Sequence, residues 1–192
     1  HSLERLAESL RDRGATLHVR RGPTLEALLA VARETGATQV FWNRLYEPAI
    51  AARDARVAAG LDEAGLLVES FNAALIVEPW EMRTAQGGPY RVFTPFWRSC
   101  SASVASQPRP QPAPARIAGA VVTAPGLALG ELELLPRVRW DAGLAAAWTP
   151  GEQGALDRLE AFCGHELSGY NEGRNRPDLP DTSRISPHLH FG

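Results

Sequence analysis

The stretch TQVFWNRLYEP, residues 38–48, decides the fold. Thr38 to Trp42 is a compact run of bulky residues and predicts a buried strand. It leads into Asn43-Arg44-Leu45-Tyr46-Glu47, and Pro48 then opens a helix, because proline's fixed φ and missing N–H suit the first helical position. Ile50, Val57 and Leu61 are the inward residues of that helix, and Gly65 ends it. Leu66 to Ser70 reads as the next strand. A strand, a helix and a strand in this order imply a right-handed crossover and a parallel sheet. The pattern extends toward the N-terminus. Thr24 caps a helix with the apolar face Leu25, Leu28, Leu29 and Ala32, closed by Gly36. Thr16 to Arg20 reads as a short strand, and Leu3, Leu6 and Leu10 stripe a first helix that stops at Gly14. The first half is therefore expected to be α/β, a three-layer sandwich.

Beyond Phe71 the periodicity fails. Residues 72–98 are dense in aromatics, with Trp80, Tyr90, Phe93, Phe96 and Trp97, and read as packing residues of the core and of a domain interface. The run SCSASVASQPRPQPAP at 99–114 is small and proline-rich, which predicts an extended surface connector. Residues 115–150 stay irregular, punctuated by Pro125, Gly126, Pro136 and Pro150, and a stretch of this length usually joins two domains. Helical character returns at Gly151–Leu167, with Ala155, Leu159 and Phe162 on one side, and Ser186–Gly192 reads as the start of a further helix. Domain boundaries are accordingly expected at 1–98, 99–150 and 151–192.

Composition narrows the chemistry. All 20 basic residues of the 192 are arginine, which excludes lysine Schiff-base catalysis and the lysine-bearing phosphate loop. Two cysteines, Cys100 and Cys163, cannot form a disulfide framework, and with no secretory segment the cytoplasm is the expected compartment. No apolar run is long enough for a membrane span. A net charge of −2 gives no support to nucleic-acid binding over the whole surface, although Arg174, Arg176 and Arg184 form a local cluster in sequence. Cys163 with His165, and His188 with His190, have too few ligands and poor spacing for a metal site, so none is expected. Gly-x-Ser-x-Gly, the Rossmann glycine fingerprint and Cys-x-x-Cys do not occur. The chain begins with His1, and the expectation is a piece cut from a larger protein.

Two clusters hold candidate chemistry. Ligands of parallel α/β sheets sit at the carboxyl ends of strands, where Asn43, Tyr46 and Glu47 follow the strand at 38–42. An amide, a phenol and a carboxylate suit a flat heteroaromatic ligand with amide-like edges. Residue type alone favours the plainer reading, a turn cap at Asn43 and a helix-start charge at Glu47. The second cluster is Tyr170-Asn171-Glu172-Gly173-Arg174 followed by Asp181 to Pro187. Ser186 before Pro187 marks a helix start, and with the hydroxyls of Thr182 and Ser183 it forms a ready anion site that needs no lysine. Helix capping alone also accounts for these residues.

Four blocks in order resemble the DNA photolyase/cryptochrome family, after the pattern of its class I cyclobutane pyrimidine dimer photolyases. They are RRGPTLEALLAVARETGATQVFWNRLYEP at 20–48, FNAALIVEPWEMRTAQGGPYRVFTPFWR at 71–98, the spaced Tyr170 and Arg174, and TSRISPHLHFG at 182–192. The resemblance implies an incomplete Rossmann-like α/β antenna domain at 1–98, a long linker at 99–150, and the start of an all-helical FAD-binding domain at 151–192. It implies light-driven electron transfer from reduced FAD to a pyrimidine dimer in DNA. By motif, Tyr170, Thr182, Ser183, Arg184, Ile185 and Ser186 match FAD-contacting positions, and Arg174 matches a DNA-facing arginine. Asn43 and Glu47 match the edge of an antenna pocket for methenyltetrahydrofolate, with a deazaflavin as the alternative chromophore. The implied partner is damaged DNA and the implied state of the full-length protein is a monomer. The family's opening strand, its later flavin helices, its lesion contacts and its tryptophan chain have no counterpart here. The 192 residues alone are accordingly expected to be inactive, with catalytic residues elsewhere. A cryptochrome photoreceptor without repair is the alternative, and a free-standing nucleotide-binding α/β module a third.

Overall fold

The computed structural model describes residues 1–104, 107, 111–120, 122 and 126–191. The chain divides into two compact units, one of residues 37–113 and one of residues 1–36 with 114–192.

The first unit is built on the crossover that its sequence predicts. Strand β1 (Gln39–Asn43) pairs in parallel with β2 (Leu67–Phe71), in the register Gln39 to Leu67 through Asn43 to Phe71. The helix between them runs from Pro48 to Glu63, with proline in its first turn and Gly65 just beyond it at φ +82°. Leu61 is fully buried, Val57 and Leu66 nearly so, and these side chains form the small core beneath β2. β1 is not the doubly buried strand expected, because one face of the pair is open. Val40, Trp42, Val68 and Ser70 are half-buried, whereas Phe41, Leu67 and Phe71 on the other face are 53%, 53% and 46% exposed. Successive side chains of a strand point to opposite faces, and the crossover helix covers only one. The expected three layers are two in this unit. Phe41 and Phe71, diagonal neighbours two register positions apart across the strands, hold their rings 6.0 Å apart on the open face.

The aromatic-rich segment also holds a helix that its composition hides. Phe93–Val104 is helical, with Pro95 tolerated in the first turn and Cys100 buried. The expected extended connector therefore opens as helix at Ser99–Val104. Serine and alanine continue the helix, and only proline would have stopped it. Positions 105–106 and 108–110, the first part of the proline-rich run, lie outside the described residues, as does Pro125.

In the second unit α1 (Ser2–Asp12) and α2 (Thr24–Thr35) precede the helices of the C-terminal region; the crossover helix is α3 and Phe93–Val104 is α4. α2 ends at Gly36, whose φ of +68° closes the helix with its N–H on the Ala32 carbonyl. Thr16–Arg20 does not form the expected strand. It lies outside any ladder and makes isolated bonds instead, the Leu127 N–H donating to the Val19 carbonyl at 2.9 Å. The Ile117 N–H donates to the Arg13 carbonyl at 2.7 Å, and Gly119 lies so near Gly14 that a Cβ there would meet its carbonyl oxygen at 2.4 Å. Then come α5 (Ala142–Ala147), α6 (Glu152–Ala161), a π-helical turn at Phe162–Glu166, a 3-10 turn at Leu167–Gly169, α7 (Tyr170–Gly173) and α8 (Ser186–Phe191). Of the face of α6 expected inward, Ala155 and Phe162 are half-buried and Leu159 is exposed, while Gly154 is buried and Arg158 half-buried beside them. The arginine faces inward because it has partners there, described next.

Candidate functional site

A cavity of about 470 Å³ opens where β1 and β2 end against α3. Trp42 and Ser70 contribute from the strands, Ala51, Asp54, Ala55 and Ala58 from α3, and Arg44, Tyr46 and Trp80 from the loops beyond. The small residues of α3 leave the room, and the rings give it flat apolar walls. Its polar frame is centred on Glu78, which is only 7% exposed. The Tyr46 hydroxyl donates to Glu78 Oε2 at 2.7 Å, and Arg44 Nη1 pairs with Glu78 Oε1. Arg44 Nη2 also donates to the Ser70 carbonyl at 2.7 Å, so β2 and the 78–80 loop are tied by one guanidinium. The same guanidinium lies 5.2 Å from the centre of the Trp80 ring, in range for a cation–π attraction. Burial first, then the hydrogen bond and charge of Glu78, hold the Tyr46 phenol above the ordinary tyrosine range, with Arg44 pulling weakly the other way.

Asn43 and Glu47, the residues singled out from sequence, are exposed and do not line this cavity. Asn43 ends β1, and Glu47 precedes α3 with its carbonyl accepting the Ala51 N–H at 2.8 Å. Tyr46 is the member of that cluster the fold turns inward. Arg44 and Glu78 lie within two of the blocks quoted above, but nothing local marked them as partners, since their pairing spans 34 positions.

The second cluster is brought together in the C-terminal region. Thr182, Ser183 and Ile185 are half-buried, and Arg184 and Ser186 exposed. Arg158 of α6 reaches the turn from below. Its Nε donates to the Ser183 carbonyl at 2.8 Å and its Nη2 to the Thr182 carbonyl at 2.9 Å, while Glu166 pairs with the same Nη2. No described residue engages the hydroxyls of Thr182 and Ser183. Arg184 takes a left-handed backbone at φ +52°, uncommon for a residue with a side chain, and its guanidinium lies 4.9 Å from the centre of the Trp148 ring. The ring of Trp148 in turn meets His188 of α8 edge-on at 6.3 Å.

Tyr170 opens α7 with its ring edge-on to Phe162 at 5.8 Å, and Arg174 lies over that ring at 5.5 Å. The two are neighbours, as their spacing on one helical turn requires. Arg176 instead pairs with Asp178 through Nη2 and Oδ2 at 2.6 Å, which holds the exposed Asp178 carboxyl below its ordinary value. Asp181 explains two glycines. A Cβ on the buried Gly173 would come within 2.3 Å of the Asp181 Cβ, and one on Gly169 within 3.0 Å of its Oδ2. Only glycine lets the segment entering the turn lie this close to α7. Among the described residues no three His, Cys, Asp or Glu side chains converge on a metal-sized site, and no helix is long and apolar enough to cross a membrane.

Comparison with known proteins joins these observations. A family model described as DNA photolyase matches residues 1–115. A protein named deoxyribodipyrimidine photo-lyase from Agrobacterium fabrum is 41% identical over the whole of this chain, which spans 40% of that protein's length. Cryptochrome-1 of Arabidopsis thaliana is 36% identical over the whole chain, which spans 28% of it. Among solved structures, a bacterial class III photolyase from Agrobacterium tumefaciens superposes with a TM-score of 0.89 at 39% identity, covering 98% of this chain and 39% of that one.

Proposed function

The chain belongs to the DNA photolyase family, and from that membership we propose that it is part of a deoxyribodipyrimidine photolyase, a flavoprotein lyase that repairs cyclobutane pyrimidine dimers in light. The observation that carries the reading is the 41% identity to a photo-lyase over the full chain, which takes in both clusters. The solved relative is a class III photolyase, and the reading takes that class in place of class I. Residues 1–98 serve as the antenna domain, 99–150 as the linker and 151–192 as the entry to the flavin domain. The chain spans 40% of the relative's length, so the catalytic residues are assigned to the part it does not span.

The residues of the C-terminal turn fit a flavin dinucleotide. Two hydroxyls that no described residue engages, those of Thr182 and Ser183, suit a diphosphate, with Arg184, Ile185 and Ser186 next to them in sequence and Tyr170 on α7. FAD when bound supplies the light-driven electron transfer; these side chains bind and orient it. Arg174, exposed at the end of α7, supplies a contact to a DNA phosphate. The cavity at the strand ends fits a flat antenna chromophore, methenyltetrahydrofolate or a deazaflavin, with Trp42, Tyr46 and Trp80 as walls. Its volume, about 470 Å³, lies within the ordinary range of small-molecule sites.

The test is light-dependent dimer repair by the protein that carries this chain, with bound flavin measured by absorbance. Replacing Thr182 and Ser183 together with alanine should weaken FAD retention, each lost bond to a charged partner being worth about 1.5–3 kcal/mol. Unchanged flavin occupancy after dialysis would remove both residues from the site. The 36% identity to Cryptochrome-1 favours a second reading, a photoreceptor. FAD retained without repair in light selects it.

A further inference from the structure

The turn at Thr182–Ser183 is held by its backbone, not by its side chains, and the hold comes from one arginine. A guanidinium presents donors in a rigid plane, and Arg158 directs two of them, Nε at 2.8 Å and Nη2 at 2.9 Å, to the adjacent carbonyls of Ser183 and Thr182. Glu166, on the π-helical turn that follows α6, pairs with Nη2 and fixes the plane of the fork. The side chains of Arg158 and Glu166 are 24% and 16% exposed, so the pair is shielded but not sealed.

The consequence follows from peptide geometry. Among the described residues there is no cis peptide bond, and in a trans peptide the C=O and the next N–H point in opposite directions. With the carbonyls of Thr182 and Ser183 drawn toward α6, the N–H groups of Ser183 and Arg184 point away from it. Adjacent amides on one face form a concavity suited to an anion, and the left-handed backbone of Arg184, at φ +52°, closes it. We propose that Arg158 is the positioning residue of this site: by clasping two carbonyls it presents the Ser183 and Arg184 amides and the two hydroxyls on the face that receives the flavin diphosphate. This rests on the FAD reading above and adds to it a residue 24 positions earlier in sequence that does not itself touch the ligand.

Three variants in the protein that carries this chain test it: Arg158→Ala, Arg158→Lys and Glu166→Gln. The first readout needs no flavin. Trypsin cleavage after Arg184 is compared with cleavage after Arg174, which lies in the same unit and makes no bond to Arg158. Arg158→Ala should raise that ratio about tenfold, the amount expected from losing roughly 1.4 kcal/mol of hydrogen bonding to a charged group. The second readout is the FAD dissociation constant, which should rise by at least about tenfold with the circular dichroism spectrum unchanged. Lysine keeps the charge and can pair with Glu166, but it is a point donor that cannot bridge two carbonyls. Arg158→Lys should therefore behave like Arg158→Ala, and Glu166→Gln should fall between it and the wild type. A lysine variant equal to wild type in both readouts overturns the proposal, as does an unchanged cleavage ratio in Arg158→Ala. If Arg158→Ala fails to fold, the lysine and glutamine variants decide alone. If the wild type retains no FAD, the proposed function fails, while the cleavage ratio still decides whether Arg158 holds the turn.

Discussion

Two half-buried arginines organise the two candidate sites, and they do it differently. Arg44 binds the buried carboxylate of Glu78 and the Ser70 carbonyl, and its face lies over Trp80. Tyr46 shares the same carboxylate, so the polar frame of the cavity is made of side chains. Arg158 also pairs with a carboxylate, that of Glu166, but its remaining donors go to the backbone of Thr182 and Ser183. One site is concave and framed by side chains around a hidden acid. The other is a turn displayed by its carbonyls and admitted by two glycines that let Asp181 lie against α7. The difference shows where each is vulnerable: the first to loss of a side chain, the second to loss of its one clasping arginine and also to loss of clearance.

The sharpest way to break that contrast is Glu78→Ala. It leaves the Arg44 guanidinium and the Tyr46 hydroxyl facing each other without their common acceptor, which should cost about 3 kcal/mol in urea unfolding. A loss under about 0.5 kcal/mol, the range of ordinary surface changes, would show that the carboxylate does not organise the cavity. Next in size is Gly173→Ala. The added Cβ would sit 2.3 Å from Asp181 Cβ, so either the turn or α7 must move, at about 2 kcal/mol by the same measurement. Gly169→Ala should cost less than about 1 kcal/mol, because there the nearest atom is the Asp181 carboxylate oxygen at 3.0 Å, which can swing aside. Equal losses at the two glycines would remove the claim that clearance is set at Gly173.

The same contrast explains what could be read in the sequence. The crossover was legible because local chemistry writes it twice, in Pro48 opening α3 and in Gly65 closing it. Tyr170 and Arg174 were legible only as a spaced pair in the family pattern; the helical turn that makes them neighbours lies beyond the helix expected at Gly151–Leu167. The helix at Phe93–Val104 was hidden, because aromatic density and a proline in its first turn mask its period. The strand expected at Thr16–Arg20 was an error of isolation: apolar alternation predicts an extended chain, but a ladder needs a neighbour that local sequence does not specify. Arg44 with Glu78, and Arg158 with Ser183, were invisible for a related reason. Their partners stand 34 and 25 positions away, and a charged residue reads as solvent-facing until its partner is known.

Removal of one hydroxyl tests whether Tyr46 belongs to the side-chain frame or only lies beside it. Tyr46→Phe keeps the ring against Trp80, whose centre lies 6.2 Å away, and removes only the hydroxyl that donates to Glu78. The expected loss at neutral pH is about 1 kcal/mol, one hydrogen bond to a charged acceptor discounted for partial exposure. Its pH dependence has a definite sign. Burial and Glu78 raise the folded-state pKa of Tyr46 above its unfolded value, so the folded protein holds this proton more tightly. The stabilisation is complete below the unfolded tyrosine pKa, near 10, and falls away as pH rises through the folded value. Urea midpoints of wild type and Tyr46→Phe should therefore be separated at neutral pH and converge as the solution becomes strongly alkaline. A gap that stays constant would mean that Tyr46 contributes through its ring alone. The cavity would then rest on the ion pair of Arg44 and Glu78, closer in kind to the clasp of Arg158 than the present geometry makes it.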